Sequence, residues 1–206
     1  MVNRLFGWRA RDAQRPVIIV SGLPRSGTSL MMQMLEAGGV PVLTDQRRPA
    51  DASNPRGYYE FEPVKRLGKE EPVWMSDAAG HALKVVSPLL VHLPADYVYR
   101  VVFMLRDLDE VILSQRAMLE RGAALSGGFD AVQMRGEYEA HLASVRLWLN
   151  RQPNMRVLYV DHHRVFAETE AVVAELEAHL GSLPDADAMP RVIDQRLYRQ
   201  RRVDQP

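Results

Sequence analysis

The sequence has no cysteine among its 206 residues, which excludes disulfide bonds, thiolate metal ligands and cysteine nucleophiles. It has no excess of either charge, because 26 lysines and arginines balance 26 aspartates and glutamates. No overall field therefore draws the chain to nucleic acid or to an anionic membrane, and any anion site must come from local placement. No apolar run approaches the roughly 18 residues of a membrane span. We therefore predict a cytoplasmic protein with no integral membrane segment and no nucleic-acid partner.

Length and composition predict one domain covering residues 1–206. The apolar share of 47% and the charged share of 25% are those of an ordinary globular protein that is long enough to bury a core. Residues 1–15 are expected to form an N-terminal extension, whose Phe6 and Trp8 leave contact with a membrane surface open. Residues 191–206, rich in arginine and glutamine, are expected to form a C-terminal tail or flap.

Apolar runs alternate with amphipathic stretches, which predicts a doubly wound α/β fold with ligands at the carboxyl ends of its strands. Segment 58–62 fits either a short edge strand or a turn leading into a helix. The predicted strands are 17–20, 40–43, 82–86, 97–105 and 156–160, and the predicted helices are 28–37, 109–120, 129–150 and 167–180. In the helix over 129–150, the side chains expected to face inward are Val132, Tyr138, Leu142, Val145 and Trp148 or Leu149.

A glycine-rich turn separates the first predicted strand from the first predicted helix. Its spacing, Gly22-x4-Gly27-Thr28-Ser29, is that of a nucleotide-binding P-loop. The two glycines permit a tight turn, so that the amides of residues 25–29 can converge on one phosphate at the positive end of the helix dipole. The hydroxyl groups that add hydrogen-bond donors are those of Ser26, Thr28 and Ser29.

This turn departs from the triphosphate-binding pattern at one position. The lysine that normally follows the second glycine, and that reaches the β- and γ-phosphates, is Thr28 here. The nearest cation is Arg25, three residues earlier. The motif therefore keeps the phosphate cradle without the residue that marks triphosphate chemistry.

A second candidate anion site follows the most apolar of the predicted strands. Arg106 stands where that strand ends, and Ser114 follows about two helical turns later. Strand ends share one rim in this fold, so Arg106 can face the ligand of the P-loop. A guanidinium binds a phosphate through two parallel hydrogen bonds, and a serine hydroxyl adds another donor. Taken alone, Arg106-Asp107 is more often a surface ion pair at the end of a strand, so this site gains weight only in combination with the P-loop.

The two segments together, Gly22-Leu-Pro-Arg-Ser-Gly-Thr-Ser-Leu-Met31 and Met104-Leu-Arg-Asp-Leu-Asp-Glu-Val-Ile-Leu-Ser114, resemble the PAPS-dependent sulfotransferase superfamily. PAPS is 3′-phosphoadenosine 5′-phosphosulfate, and the P-loop is most similar to that of the tyrosylprotein sulfotransferases and of bacterial sulfotransferase-like proteins. The resemblance implies a P-loop NTPase-like three-layer sandwich with a central parallel sheet and helices on both faces. It also implies metal-independent transfer of a sulfuryl group from PAPS to a hydroxyl or amine acceptor.

Residue roles follow from the same resemblance. In the family, the P-loop holds the 5′-phosphosulfate. The resemblance implies that the residues with this role here are Arg25, Ser26, Gly27, Thr28 and Ser29. An arginine and a serine at the separation of Arg106 and Ser114 hold the 3′-phosphate. Arg25 is expected to be the P-loop cation, and Lys84 resembles the family's strand lysine. That lysine is normally followed by Asp-Pro, whereas Val85-Val86-Ser87-Pro88 follows it here.

The general base is left open among several residues. A base has to take the proton of the acceptor unless the acceptor is already nucleophilic. Asp45 lies close to where the tyrosylprotein enzymes place a catalytic glutamate, and Glu60 and Glu62 would share one face if 58–62 were a strand. His81 and His92 are further candidates. The adjacent pair His162-His163 has no third ligand spaced nearby, so we expect no metal site.

Two other functions remain open at this stage. A P-loop kinase or NTPase would use Asp161, after a short apolar run, as a magnesium-binding acid. A non-catalytic nucleotide-binding protein would keep the fold without the base. The acceptor, a small molecule or a peptide, is not encoded in any readable motif. We expect loop 45–57, residues 122–128 and the tail to shape its pocket, with Arg199, Arg201 and Arg202 able to fold over the 3′-phosphate.

Overall fold

The protein is built on a four-stranded parallel sheet, seen in a computed structural model that describes residues 15–45, 47–51, 54, 56–121, 130–181 and 183–198. The strands are β1 (Val17–Gly22), β2 (Ala82–Lys84), β3 (Tyr99–Leu105) and β4 (Met155–Asp161), in the order β2-β1-β3-β4. All neighbours pair in parallel, and the register sets Val20 opposite Lys84 and Gly22 opposite Met104. The carboxyl ends of β1, β2 and β3 therefore meet at one rim.

Five α-helices are described around the sheet. They are α1 (Thr28–Ala37), α2 (Leu108–Arg121), α3 (Ala131–Leu149), α4 (His162–Ala167) and α5 (Thr169–Leu180). Short 3-10 helices cover Glu62–Arg66, Val73–Ala78, Ser87–His92, Ala186–Val192 and Gln195–Leu197. Among the described residues, none of these helices combines the length and apolarity that crossing a bilayer requires.

Alternating side chains of the strands feed two separate cores, one on each face of the sheet. On one face, Ile18 and Val20 pack with Leu35 of α1 and Leu176 of α5. On the other face, Val17, Ile19 and Phe103 pack with Val145 and Leu149 of α3. Helices therefore cover both faces, and the expected three-layer sandwich with a central parallel sheet is confirmed.

The strand expected over 40–43 is not a strand of the sheet. Only an isolated bridge joins Val42 to Ala82. The amide of Ala82 donates to the carbonyl of Pro41 at 2.7 Å, and the amide of Leu43 donates to Ala82 at 2.9 Å. Proline has no amide proton to continue a ladder, and β2 is only three residues long, so pairing stops there. β2 itself ends at Lys84 rather than at 86.

Of the two structures that segment 58–62 fits by sequence, the protein adopts the turn, which leads into the 3-10 helix Glu62–Arg66. Tyr59 adopts a positive φ of 52°, which an extended strand does not allow. Glu60 and Glu62 consequently do not share a strand face.

Two helix predictions also need correction. Val132 was expected to face inward, but 82% of its surface is exposed, since α3 meets the sheet only toward its C-terminal end. The helix expected over 167–180 is α5, which begins two residues later at Thr169, because Glu168 leaves helical geometry at φ −135° and ψ 45° and separates it from the short helix α4. Phe6, Trp8, residues 122–128 and the arginines at 199, 201 and 202 lie outside the described residues.

The two valines of α3 give a matched test of this packing. Val145→Ala should lower the free energy of unfolding by about 1–3 kcal/mol, because it removes two buried methyl groups. Val132→Ala, in the same helix, should leave stability within roughly 0.5 kcal/mol or raise it slightly through helix propensity. Urea denaturation of both variants checks this, and equal losses would contradict the placement of α3.

Candidate functional site

The glycine-rich turn connects β1 to α1 through three residues with positive φ. Gly22 has φ 148°, Arg25 has φ 70° and Gly27 has φ 99°. A left-handed conformation is natural for glycine but costs an arginine about 1–2 kcal/mol. Gly27 immediately precedes α1 and has no side chain to cap it, so the first amides of the helix remain available to an anion. The turn thus has the form of a P-loop.

The three hydroxyl groups of the turn differ in where they lie. The hydroxyl of Ser26 is buried beneath the turn without a hydrogen-bond partner among the described residues. A Cβ atom on Gly22 would come within 2.4 Å of that oxygen, so the close approach requires glycine. Thr28 and Ser29 instead line a cavity above the turn. Only Thr28 and Ser29 can therefore present hydroxyls to a ligand, while Ser26 offers its amide.

Arg106 and Ser114 both contact Arg25 of the P-loop, although they lie more than 80 residues away in sequence. Arg106 donates from Nη1 to the carbonyl of Arg25 at 3.0 Å. The Nε atom of Arg25 donates to the hydroxyl of Ser114 at 3.0 Å. The strained left-handed residue is therefore held from two sides. We call Arg25, Arg106 and Ser114 the arginine–serine group.

Buried partners fix the position of Arg106. Its Nε atom donates to Glu110 at 2.9 Å, and both side chains are less than 10% exposed. Glu110 also accepts from the hydroxyl of Tyr198 at 3.1 Å, and the ring of Tyr198 lies 5.5 Å from the guanidinium. Arg106 is thus turned toward the P-loop rather than toward solvent, and it is one of the residues that line the cavity.

Lys84 brings a third cation to the P-loop from the neighbouring strand. Its Nζ atom donates to the carbonyl of Tyr58 at 2.7 Å and to the hydroxyl of Ser29 at 3.2 Å. Burial lowers the pKa of Lys84 to about 8, although the charge of Glu60 acts in the opposite direction. An anion bound at the P-loop would therefore find this lysine within reach and weakly solvated.

The three candidate acids occupy different places. Glu60 lines the cavity, where Arg48 and Lys65 donate to its two oxygens at 2.9 and 3.1 Å. Burial by itself would raise the pKa of Glu60, but these two hydrogen bonds, together with the charges of Lys84 and Arg48, outweigh it and lower the pKa. Asp45 accepts from the backbone amides of Glu62 and Arg47 and is not among the described residues that line the cavity. Glu62 pairs with Lys65 and likewise does not line it.

The histidines expected as alternative bases also lie away from the cavity. His81 contacts the carbonyl of Ala79, and His92 packs against Gly68. Neither is among the described residues that line the cavity. His162, which sequence reasoning considered only as part of a metal pair, does line it. Among the described residues no group of three or more acids and histidines is spaced to hold a metal ion.

A cavity of about 340 Å³ joins these elements at the carboxyl ends of the strands. Of the described residues that line it, five carry a positive charge (Arg25, Arg48, Lys65, Lys84 and Arg106) and two are acids (Glu60 and Asp194). Arg48 and Lys65 were not predicted from the sequence, because neither lies in a motif or at the end of a strand. The site is strongly cationic in a chain whose net charge is zero.

Comparison with known proteins adds a likeness in fold. No protein-family model matches the sequence, and no curated protein matches it. A solved structure of retinol dehydratase, in complex with androsterone and the inactive cofactor PAP, superposes with a TM-score of 0.51 at 16% identity over 89% of this chain and 67% of that one. This likeness shows the fold and agrees with the architecture expected from the sequence.

Two further structures are more distant. A proposed kinase from Chloroflexus aurantiacus gives a TM-score of 0.39 at 19% identity over 81% of this chain and all of that one. A protein from Eubacterium ventriosum gives 0.34 at 14% identity over 80% of this chain and 99% of that one. Neither score supports an argument about function.

The buried pair of Arg106 and Glu110 should matter for stability. Glu110→Ala removes the carboxylate beside a buried guanidinium and should lower the free energy of unfolding by about 3 kcal/mol. Glu120→Ala breaks a pair of the same spacing with Arg116 that is roughly half exposed, and should cost less than about 0.5 kcal/mol. Chemical denaturation of the two variants measures the difference. Similar losses would show that Arg106 is not confined as described.

Proposed function

We propose that this protein is a sulfotransferase that moves a sulfuryl group from PAPS to a hydroxyl or amine acceptor. The observation that carries the proposal is the arginine–serine group, in which the side chains of the second motif meet the P-loop. The fold shared with retinol dehydratase, whose structure holds PAP, the adenosine bisphosphate product of such a reaction, supports it. The identity is too low to carry the function by itself.

The residues present fit a donor with two separate anionic ends. The amides at the start of α1 and the hydroxyls of Thr28 and Ser29 suit a 5′-phosphosulfate. Arg106 suits the 3′-phosphate, because a guanidinium binds phosphate through two hydrogen bonds. Ser114 can exchange its contact with Arg25 for one with the same phosphate. The excess of cationic side chains in the cavity matches a ligand of several negative charges.

The proposed reaction forms one bond to sulfur and breaks another. The acceptor oxygen or nitrogen attacks the sulfur, the bond between sulfur and the bridging oxygen of the 5′-phosphate breaks, and the products are a sulfated acceptor and adenosine 3′,5′-bisphosphate. Negative charge grows on the bridging oxygen. Lys84 and Arg25, both at the P-loop, are the cations we assign to stabilise it.

We assign Glu60 as the general base, which takes the proton from the acceptor. Of the three candidate acids, Glu60 is the one that faces the cavity among the described residues, and its lowered pKa keeps it ionised at neutral pH. Its ion pairs with Arg48 and Lys65 fix the carboxylate in place.

Glu60→Gln should lower kcat while leaving the affinity for the donor unchanged, and an unchanged kcat would remove Glu60 from the reaction.

Part of the cavity wall is apolar. Outside the P-loop, its described apolar side chains include Phe61, Val64, Val86, Leu89 and Met118. Val86 and Leu89 follow Lys84 closely in sequence, so this wall lies beside the assigned catalytic lysine. We therefore favour a small-molecule acceptor with an apolar body over a charged peptide. The likeness to a protein that binds androsterone is consistent with this choice.

A P-loop kinase is the main alternative, and two observations count against it. Thr28 stands where the lysine for the β- and γ-phosphates is needed. Asp161, the candidate magnesium ligand, accepts from the amide of His163 at 2.7 Å and caps α4. It is not among the described residues that line the P-loop cavity.

Calorimetry tests the donor identity. The protein should bind adenosine 3′,5′-bisphosphate without magnesium, whereas a kinase should prefer magnesium–ATP. Arg106→Ala should weaken 3′,5′-bisphosphate binding by roughly 2–4 kcal/mol. Adenosine 5′-phosphate, which lacks the 3′ group, should lose clearly less affinity, because its binding loses only the support that Arg106 gives to the P-loop through the carbonyl of Arg25. Arg116→Ala on the exposed face of α2 is the control. Equal losses for both ligands would refute the assignment of Arg106, and transfer of labelled sulfate to a panel of acceptors separates an enzyme from a binding protein.

The lowered pKa of Lys84 predicts a pH dependence. The charge needed at the bridging oxygen is lost as pH rises through about 8 in the free protein, so kcat/KM for the donor should fall above that pH and stay level below it. Lys84→Arg should abolish this decline, because its guanidinium remains protonated.

Lys84→Met should lower kcat about 100-fold while changing donor affinity less than about threefold. A flat profile for the unmodified protein, or full turnover by the methionine variant, would exclude Lys84 from the mechanism.

A further inference from the structure

His162 is a buried polar residue of the cavity to which the proposed reaction gives no role. It is the first residue of α4, and only 5% of its surface is exposed. Its ring lies edge-on to Phe166 and to Tyr198, with centroids 5.1 and 4.9 Å away. With these aromatic contacts, the ring borders the P-loop cavity.

The ring edge of His162 meets the P-loop at Gly27. A Cβ atom placed on Gly27 would lie 2.4 Å from Cδ2 and 3.3 Å from Nε2 of the histidine. Gly27 belongs to the phosphate cradle, and Tyr198, which also packs against the ring, lies beneath Arg106. His162 therefore contacts Gly27 of the site assigned to the 5′-phosphate and the ring that supports Arg106 of the site assigned to the 3′-phosphate.

Neither nitrogen of His162 has a hydrogen-bond partner among the described residues. Nδ1 is fully buried. A buried donor without an acceptor is rarer in proteins than a buried acceptor without a donor, so the proton belongs on Nε2. That places an N–H group beside Gly27 in a residue that lines the cavity. An apolar side chain would fill this aromatic surrounding without the cost of an unsatisfied nitrogen, about 1–3 kcal/mol.

We propose that His162 is a donor-binding residue, which gives its Nε2–H to an oxygen of the ribose 5′-phosphate unit of the nucleotide. This inference rests on the proposed function, since it assigns a contact within the same donor site. The imidazole acts as a neutral group. Burial first, then the charges of Arg106 and His163, lower the pKa of His162 to about 3. Further titratable groups on this side, among the described residues, include Tyr198, whose ring contacts the histidine, and Glu110, which accepts a hydrogen bond from Tyr198.

Two substitutions and a neighbouring control test the contact. His162→Phe keeps an aromatic ring without a donor and should weaken adenosine 3′,5′-bisphosphate binding about tenfold. His162→Gln keeps an N–H group and should bind within about threefold of the unmodified protein. His163→Phe, at the adjacent exposed position, should bind normally. In kinetics the phenylalanine variant should raise KM for the donor at an unchanged kcat, and the loss should be equal at pH 6 and pH 8 because the group is neutral.

The outcomes separate this inference from the proposed function. If the unmodified protein fails to bind the bisphosphate, the proposed function and the role of His162 are both contradicted. If it binds and the phenylalanine variant, folded as judged by its melting temperature, binds equally well, only the role of His162 falls. Equal losses for phenylalanine and glutamine would also overturn it. Should the phenylalanine variant not fold, the Nε2 proton of His162 in the unmodified protein must shift in NMR spectra on adding the bisphosphate, and an unmoved signal overturns the contact.

Discussion

The geometry of the site depends on how Arg25 is held in a left-handed conformation. An arginine at φ 70° is strained, and it stays there because its carbonyl accepts from Arg106 and its side chain donates to Ser114. These bonds join the P-loop to the segment that follows β3. Since β1 and β3 are adjacent and in register to their ends, the sheet brings the two segments together before any ligand arrives.

The cationic character of the cavity arises from the fold rather than from composition. Charges of both signs are equal in number along the chain, yet the carboxyl ends of the strands and the adjoining loop place five cations and two acids of the described residues around one space. Glu60 is surrounded by three of these cations and stays ionised, while Lys84 is desolvated and its pKa falls. A bound anion would compensate Lys84 for the solvation that it loses through burial, which supports the proposal of a polyanionic donor.

Sequence reasoning succeeded where one local pattern controls the structure. The P-loop turn, the apolar strands and the helix after Arg106 follow from glycine spacing and from short β-branched runs, and the sheet contains the strands expected around them. It failed where a single residue or a neighbour overrides the pattern. Pro41 lacks the backbone amide proton that a strand over 40–43 requires. Val132 fits the apolar periodicity of the helix, but it is exposed because the sheet does not extend beneath it.

The sequence by itself determined the phosphate cradle, its missing triphosphate lysine and the presence of an arginine and a serine at a set distance beyond a strand. Only the tertiary structure decided which acid faces the cavity, that Arg25 joins the two motifs, and that His162 lies against Gly27. The reason is physical. Backbone turns depend on residues that are neighbours in the chain, whereas the surroundings of an ionisable side chain depend on strands and loops that are distant in sequence and become adjacent only when the sheet assembles.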